Sequence, residues 1–157
     1  MEKEILVQDL SLGYTLQQFH DYNLYRRDKV TKMPKYIAPY FAEGAAFGGG
    51  VGIHFKGKVL GHLRFKAADL DVNLNTIQAF AGGNTALADR WVQGIKIEEE
   101  PHNEFDYFFL GELARLDKPI TKKLTKGSPK IIAPTIVRGY QVTQQEFDHW
   151  VRLTREG

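Results

Sequence analysis

Residues 105–116 read FDYFFLGELARL, and no other stretch restricts the fold of this chain so strongly. Phe105, Tyr107 and Phe109 fall on one parity, and Phe108 and Leu110 on the other. In a strand, successive side chains alternate between faces, so this run presents large apolar groups to both sides. It reads as a strand buried on both faces, which requires other elements packed above and below it.

The rest of the chain offers such elements. In YTLQQFHDYNLYRRDKV, the spacing of Leu16, Phe19 and Tyr22 predicts a helix with Thr15 at its start. At the other end, TQQEFDHWVRLTREG places Phe147, Trp150 and Val151 on one helical face. Thr143 followed by Glu146 forms a capping box at its start. Between them, Val51, Ile53 and Phe55 alternate as in a strand, and Val59 to Phe65 continue the pattern after a Lys-Gly-Lys turn. Leu70, Val72 and Leu74 predict a third strand, and Gly82-Gly83-Asn84 a turn. LADRWVQGIKIEEE reads as two strands around Gln93-Gly94, and IIAPTIVRGYQV as a further strand. EILVQDLSL fits an edge strand or a helical turn, and a short helix is expected to restart after Pro39. The order predicts a single α+β domain over residues 1–157, a central mixed β-sheet flanked by an N-terminal and a C-terminal helix.

Composition removes several classes of function. There are no cysteines, which excludes disulfides, thiolate metal sites and cysteine nucleophiles. Serine occurs only at Ser11 and Ser128 and there is no GxSxG, so a serine hydrolase is not expected. No HExxH or similar spacing marks a zinc site. FGGGVGIHFKGK satisfies neither phosphate-loop pattern, although Lys56 and Lys58 could meet phosphate. No apolar run approaches the roughly 18 residues of a membrane span, and no signal-like segment follows Met1-Glu2-Lys3-Glu4. A soluble, cytoplasmic protein without a membrane partner is expected, including the host cell of a virus as a setting.

The acidic residues around DRWVQGIKIEEE carry the sharpest chemical expectation. With Asp89 opening one strand and Glu98 and Glu100 sharing a face of the next, the carboxylates could converge on Mg²⁺ or Mn²⁺. A hard dication there would activate water and stabilise charge on a phosphate. Lys96 or His102 would assist the water or the leaving group. The alternative is a solvated hairpin tip, since runs of charge usually lie on the surface. Asp69 and Asp71 form a second acidic pair, and His54 and His62 could meet across a hairpin.

The succession ADRWVQGIKIEEE…FDYFFLGELARL…IVRGYQVTQQEFDHW resembles the core of the PD-(D/E)XK superfamily of restriction-endonuclease-like nucleases. The resemblance spans roughly residues 40–155 and implies that Asp89 is the first acid and Glu98 the acid of the paired motif. Glu100 stands where that family usually has lysine. It implies a metal-dependent nuclease, endonucleolytic or exonucleolytic, acting on DNA phosphodiesters, in a class whose members often dimerise.

Net charge is only +2, but its distribution is uneven. YRRDKVTKMPKY and KKLTKGSPK collect cations, and Arg26, Arg27, Lys29, Lys122, Lys123 and Lys126 are the expected phosphate contacts. Tyr25 or Tyr36 would be available for stacking. Two other functions stay open. One is a non-catalytic accessory module of viral or mobile-element type that binds nucleic acid or protein. The other is a small-molecule domain with FDYFFL as its pocket wall.

Overall fold

The structure is a computed structural model that describes residues 2–11, 13–42, 50–126 and 139–156. In chain order the elements begin with β1 (Lys3–Val7), β2 (Asp9–Leu10), α1 (Gly13–Tyr22), β3 (Leu24–Arg27), β4 (Tyr36–Ile37) and β5 (Tyr40–Phe41). There follow β6 (Gly52–Lys66), a 3-10 turn (Ala67–Asp69), α2 (Leu70–Phe80) and α3 (Thr85–Lys96). The chain ends with β7 (Glu104–Ile120), α4 (Lys122–Thr125), β8 (Tyr140–Thr143) and α5 (Gln144–Glu156). The class is α+β with a mixed sheet, since β1 pairs parallel with β4 and antiparallel with β8.

Two compact units are present, one of Met1–Ser11, Met33–Gly57 and Ala114–Gly157, the other of Leu12–Lys32 and Lys58–Leu113. In the first, the strands follow the order β2-β5-β6-β4-β1-β8. Its core brings Ile5 and Val7 together with Ile53, Val142, Phe147 and Trp150. The capping box forms as the sequence implies: Thr143 N–H donates to Glu146 Oε1 at 2.9 Å, and Glu146 N–H to Thr143 Oγ1 at 3.1 Å.

In the second unit, β7 pairs with β3 and β6. The β3 register sets Leu24 against Phe109, Tyr25 against Phe108, Arg26 against Tyr107 and Arg27 against Asp106. Leu24, Phe109 and Tyr107 then share a core with Phe65, Trp91 and Ile95. Asn23, in the left-handed region at φ 53°, ends α1 and lets the chain turn directly into β3. Helix α3 passes close to α1, because a Cβ on Gly94 would lie 2.7 Å from Cβ of Tyr22.

Several expectations are corrected. Leu70–Phe80 and Thr85–Lys96 are helices, not strands. Val72, counted as an inward strand position, is 84% exposed, whereas Leu70 and Ile77, two turns apart on one helical face, are buried. Gly82 and Gly83, at φ 59° and 91°, do form the turn, and Asn84 then caps α3 by accepting from Leu87 N–H at 3.0 Å. The Lys-Gly-Lys turn is absent, β6 being continuous across it, so His54 and His62 lie along one strand and do not face each other across a hairpin. Beyond Pro39 the chain makes the short strand β5, and the part of the expected helix at 43–49 lies outside the described residues, as does most of IIAPTIVRGYQV. Among the described residues no helix is long and apolar enough to cross a membrane.

Candidate functional site

Strand β3 sends Arg26 to the face of β7 that carries Phe105 and Tyr107, and there the guanidinium becomes the centre of a buried polar network. Only 8% of its side chain is exposed, and its Cζ lies 3.4 Å from the centre of the Phe105 ring. Arg26 Nη2 donates to Glu100 Oε2 at 2.6 Å. Its Nε lies 3.1 Å from Glu98 Oε1; the N–H is not aimed along that line, so this contact is an ion pair without a hydrogen bond.

Glu98 has no exposed side-chain surface. Its Oε1 accepts from Tyr107 Oη at 2.7 Å and from Gln18 Nε2 at 3.5 Å, while Oε2 accepts from Glu100 N–H at 3.2 Å. Tyr14 Oη closes the ring by donating to Glu100 Oε2 at 3.1 Å. A buried carboxylate needs this many donors and a cation, because desolvation otherwise drives it neutral. The network therefore joins α1, β3, β7 and the turn after α3 at one point.

The tyrosines record this environment. Burial, followed by the hydrogen bond to Glu98, holds the Tyr107 hydroxyl well above the ordinary phenol range. Burial, then the charge of Glu98, does the same for Tyr14, and burial alone raises Tyr25. A phenol whose folded pKa lies above its unfolded value of about 10 lends stability below that pH, and the contribution fades as pH climbs past it. Tyr14, Tyr25 and Tyr107 are expected to stay un-ionised in the native protein at about pH 11. Phenolate absorbance should develop fully only on unfolding, and a Tyr107→Phe variant should lose stability less steeply than wild type above about pH 10. Complete ionisation of the folded protein at that pH would contradict the buried placement.

A second cluster surrounds Asp106, 3% exposed, on the opposite face of β7. His62 Nε2 sits 2.8 Å from Asp106 Oδ1, while Arg64 Nη1 and Val30 N–H donate to Oδ2 at 3.2 and 2.7 Å. Arg64 also donates to Glu104 Oε1 at 2.7 Å and to Asp28 O at 2.6 Å. His62 rests on Phe108, ring centres 4.9 Å apart.

The residues singled out from sequence scatter. Asp89 is exposed on α3 and, with Gln78, Asn84 and Thr85, lines a shallow cavity of about 230 Å³. Lys96 is exposed in the last turn of α3 and His102 in the turn after Glu100. Only Glu98 and Glu100 meet, and they meet on Arg26. Among the described residues no group of three or more His, Asp or Glu could hold a metal ion. The donors expected for Mg²⁺ or Mn²⁺ therefore do not fit a dication. Asp69 and Asp71 lie exposed at the start of α2, not on a strand.

Of the expected phosphate contacts, Arg26 is enclosed, Lys29, Lys123 and Lys126 are exposed, and Arg27 is half-buried. Lys122 has its Nζ 3.9 Å from Asp9 Oδ1 and 4.9 Å from the Tyr40 ring centre. Tyr25 is 1% exposed and so closed to stacking, and Tyr36 has Lys56 Nζ 4.9 Å from its ring centre. Sequence reasoning missed Tyr14, Gln18, Tyr107, Arg64 and Asp106. A signal for the last was present: a carboxylate inside an otherwise apolar strand must find buried donors.

At the level of sequence, no family model and no curated protein matches the chain. Solved structures do. ASCH from Zymomonas mobilis superposes with a TM-score of 0.55 at 11% identity, covering 97% of this chain and 96% of that one. Its S128A mutant gives 0.53 at 12%, covering 96% of each chain. The N-terminal domain of McrB from Staphylothermus marinus gives 0.55 at 12%, covering 97% of each. The chain has the fold of these proteins. That likeness corrects the PD-(D/E)XK resemblance and the nuclease activity that it implied. The physical reason lies in α3: DRWVQGIK is helical, so Asp89 does not open a strand as the resemblance implied.

Proposed function

We propose that this chain is a non-catalytic nucleic-acid-binding module of PUA-like architecture. The observation that carries the proposal is the contrast between its acids and its cations. Glu98 is sealed among Arg26, Tyr107 and Gln18, whereas Lys29, Lys123 and Lys126, from the basic segments, stand exposed. Cations left open to solvent attract phosphate and release its counterions, while carboxylates already paired with arginine are poor ligands for a metal or a water. The likeness to ASCH and to the McrB N-terminal domain, over nearly the whole chain, supports a binding fold of this type.

Fluorescence anisotropy with labelled single- and double-stranded oligonucleotides tests it. Binding is expected with a dissociation constant of about 10⁻⁴–10⁻⁶ M, weakening linearly in log–log form as salt rises from about 50 to 200 mM. The oligonucleotide should be recovered intact. No binding up to about 100 µM protein, or binding indifferent to salt, would overturn the proposal.

A further inference from the structure

We infer that the outward row of β6, Lys58, His62, Arg64 and Lys66, with Lys29 beside it, is the surface on which a single-stranded nucleic acid lays its phosphates. This rests on the binding-module proposal and adds to it a place and a strand state.

Every second residue of a strand projects to the same face, about 6.6–6.8 Å from the last. Positions 58, 62, 64 and 66 therefore form a straight row of cations or ring N–H groups. Its step is close to that between successive phosphates of an extended single strand. A duplex backbone, which winds away from a straight edge, would meet fewer of them. Leu60, 37% exposed, occupies the same row and offers apolar surface to a sugar or base.

The outer members of the row have no internal use. Lys58 and Lys66 are exposed, and neither side chain makes a hydrogen bond or ion pair among the described residues; the same holds for the Lys29 side chain. The centre of the row is held in place. Asp106 grips His62 through Nε2, which leaves the Nδ1 edge of a ring 27% exposed for an incoming group. Arg64 uses Nε on Glu104 and Nη1 on Asp28 O and Asp106, so its Nη2 keeps both N–H groups. The bond to Asp28 O also brings the backbone next to Lys29 against the row. The neighbouring acids do not cancel the field: Glu104 and the buried Asp106 both already bond Arg64, and Arg27 stands opposite Asp106 in the β3 register. Asp106 acts here as a positioning residue that presents His62 and Arg64 without reaching the ligand itself.

The test measures labelled single-stranded and duplex 20-mers against wild type, a Lys58→Glu/Lys66→Glu variant and a charge-matched Lys118→Glu/Arg152→Glu control. Lys118 and Arg152 are exposed and outside the row. Circular dichroism and thermal melting confirm that all three fold alike. The row variant is expected to weaken single-strand binding at least tenfold and to lower the salt slope by about 1.4, or 0.7 for each lost phosphate contact. The control should stay within about threefold, since every cation of the row is kept and charge off the contact surface is screened by salt. Wild type that binds while the row variant binds equally well overturns the placement and leaves the module proposal standing. Equal losses in both variants also overturn the placement, because net charge then explains the binding. A duplex preferred over the single strand, or polyglutamate competing as well per charge, overturns the ligand assignment. Wild type that binds nothing overturns both proposals.

Discussion

Arg26→Ala should destabilise the protein by about 3–5 kcal/mol, the range expected when one partner of a buried ion pair is removed and the other left behind. The stranded group is Glu98, whose side chain has no exposed surface and no other cation within ion-pair distance among the described residues. Tyr107 and Gln18 would still donate to it, but neutral donors do not replace a full positive charge in a desolvated site. Packing is lost as well, because the guanidinium Cζ sits over the Phe105 ring, 3.4 Å from its centre. Arg26→Lys keeps the charge and gives up the planar guanidinium over Phe105, so its loss should be smaller. The decisive measurement is a double-mutant cycle by urea unfolding. An Arg26→Ala/Glu98→Gln protein should be more stable than Arg26→Ala, since its buried charge has gone with its partner. An Arg26→Ala loss under about 1 kcal/mol would mean that the pair is solvated and that Arg26 is, after all, available to a ligand.

The same network marks the reach of sequence reasoning. Glu98 and Glu100 do meet, but in the turn after α3 and not on one face of a strand as their spacing implied. What they sit against does not follow from their spacing, because Arg26 is 74 positions from Glu100 and nothing local announces it. Of the three acids expected around a metal, Glu98 and Glu100 have a cation of the chain itself as their partner, and Asp89 stands apart on α3. Local signals fared better. Thr143 and Glu146 are three residues apart, and their capping box is complete within one turn, so the start of α5 was legible. FDYFFLGELARL was legible because two-sided burial leaves few alternatives for so dense a run. The helices α2 and α3 were not. Leu70, Val72 and Leu74 alternate over too short a window to separate a period of 2 from one of 3.6, and the longer Leu70–Ile77 spacing decides for helix. In α3, Gly94 and the branched residues around it argue against a helix on propensity. The glycine is there because Tyr22 and Leu24 approach too closely for any side chain, with Leu24 Cδ2 only 3.2 Å from where a Cβ would stand. Tertiary packing overrode local preference in that helix, and the nuclease resemblance depended on the preference.

Trp91→Ala tests that packing directly and should cost about 3–5 kcal/mol, as removal of a fully buried large aromatic does elsewhere. Trp91 is 0% exposed. Its ring meets Phe109 edge-on with centres 5.3 Å apart, in the core that also holds Leu24, Ile77 and Ile95. Truncation opens a cavity between α3 and β7 that the surrounding aromatic rings, fixed by strand pairing, cannot collapse to fill. The indole carries a second contribution, since Nε1–H donates to Leu110 O at 3.0 Å, within a fully buried stretch of β7. Trp91→Phe separates the two. It keeps most of the ring and orphans the carbonyl, so it should lose about 1–3 kcal/mol. The ordering wild type, Phe, Ala in denaturant midpoint is the expected result. Had DRWVQGIK been a strand pair with Asp89 and Glu98 converging, Trp91 would fall on a sheet face and its indole N–H would have no fixed acceptor across the core. A Trp91→Phe variant as stable as wild type would therefore speak against the helix, the hydrogen bond and the fold assignment together.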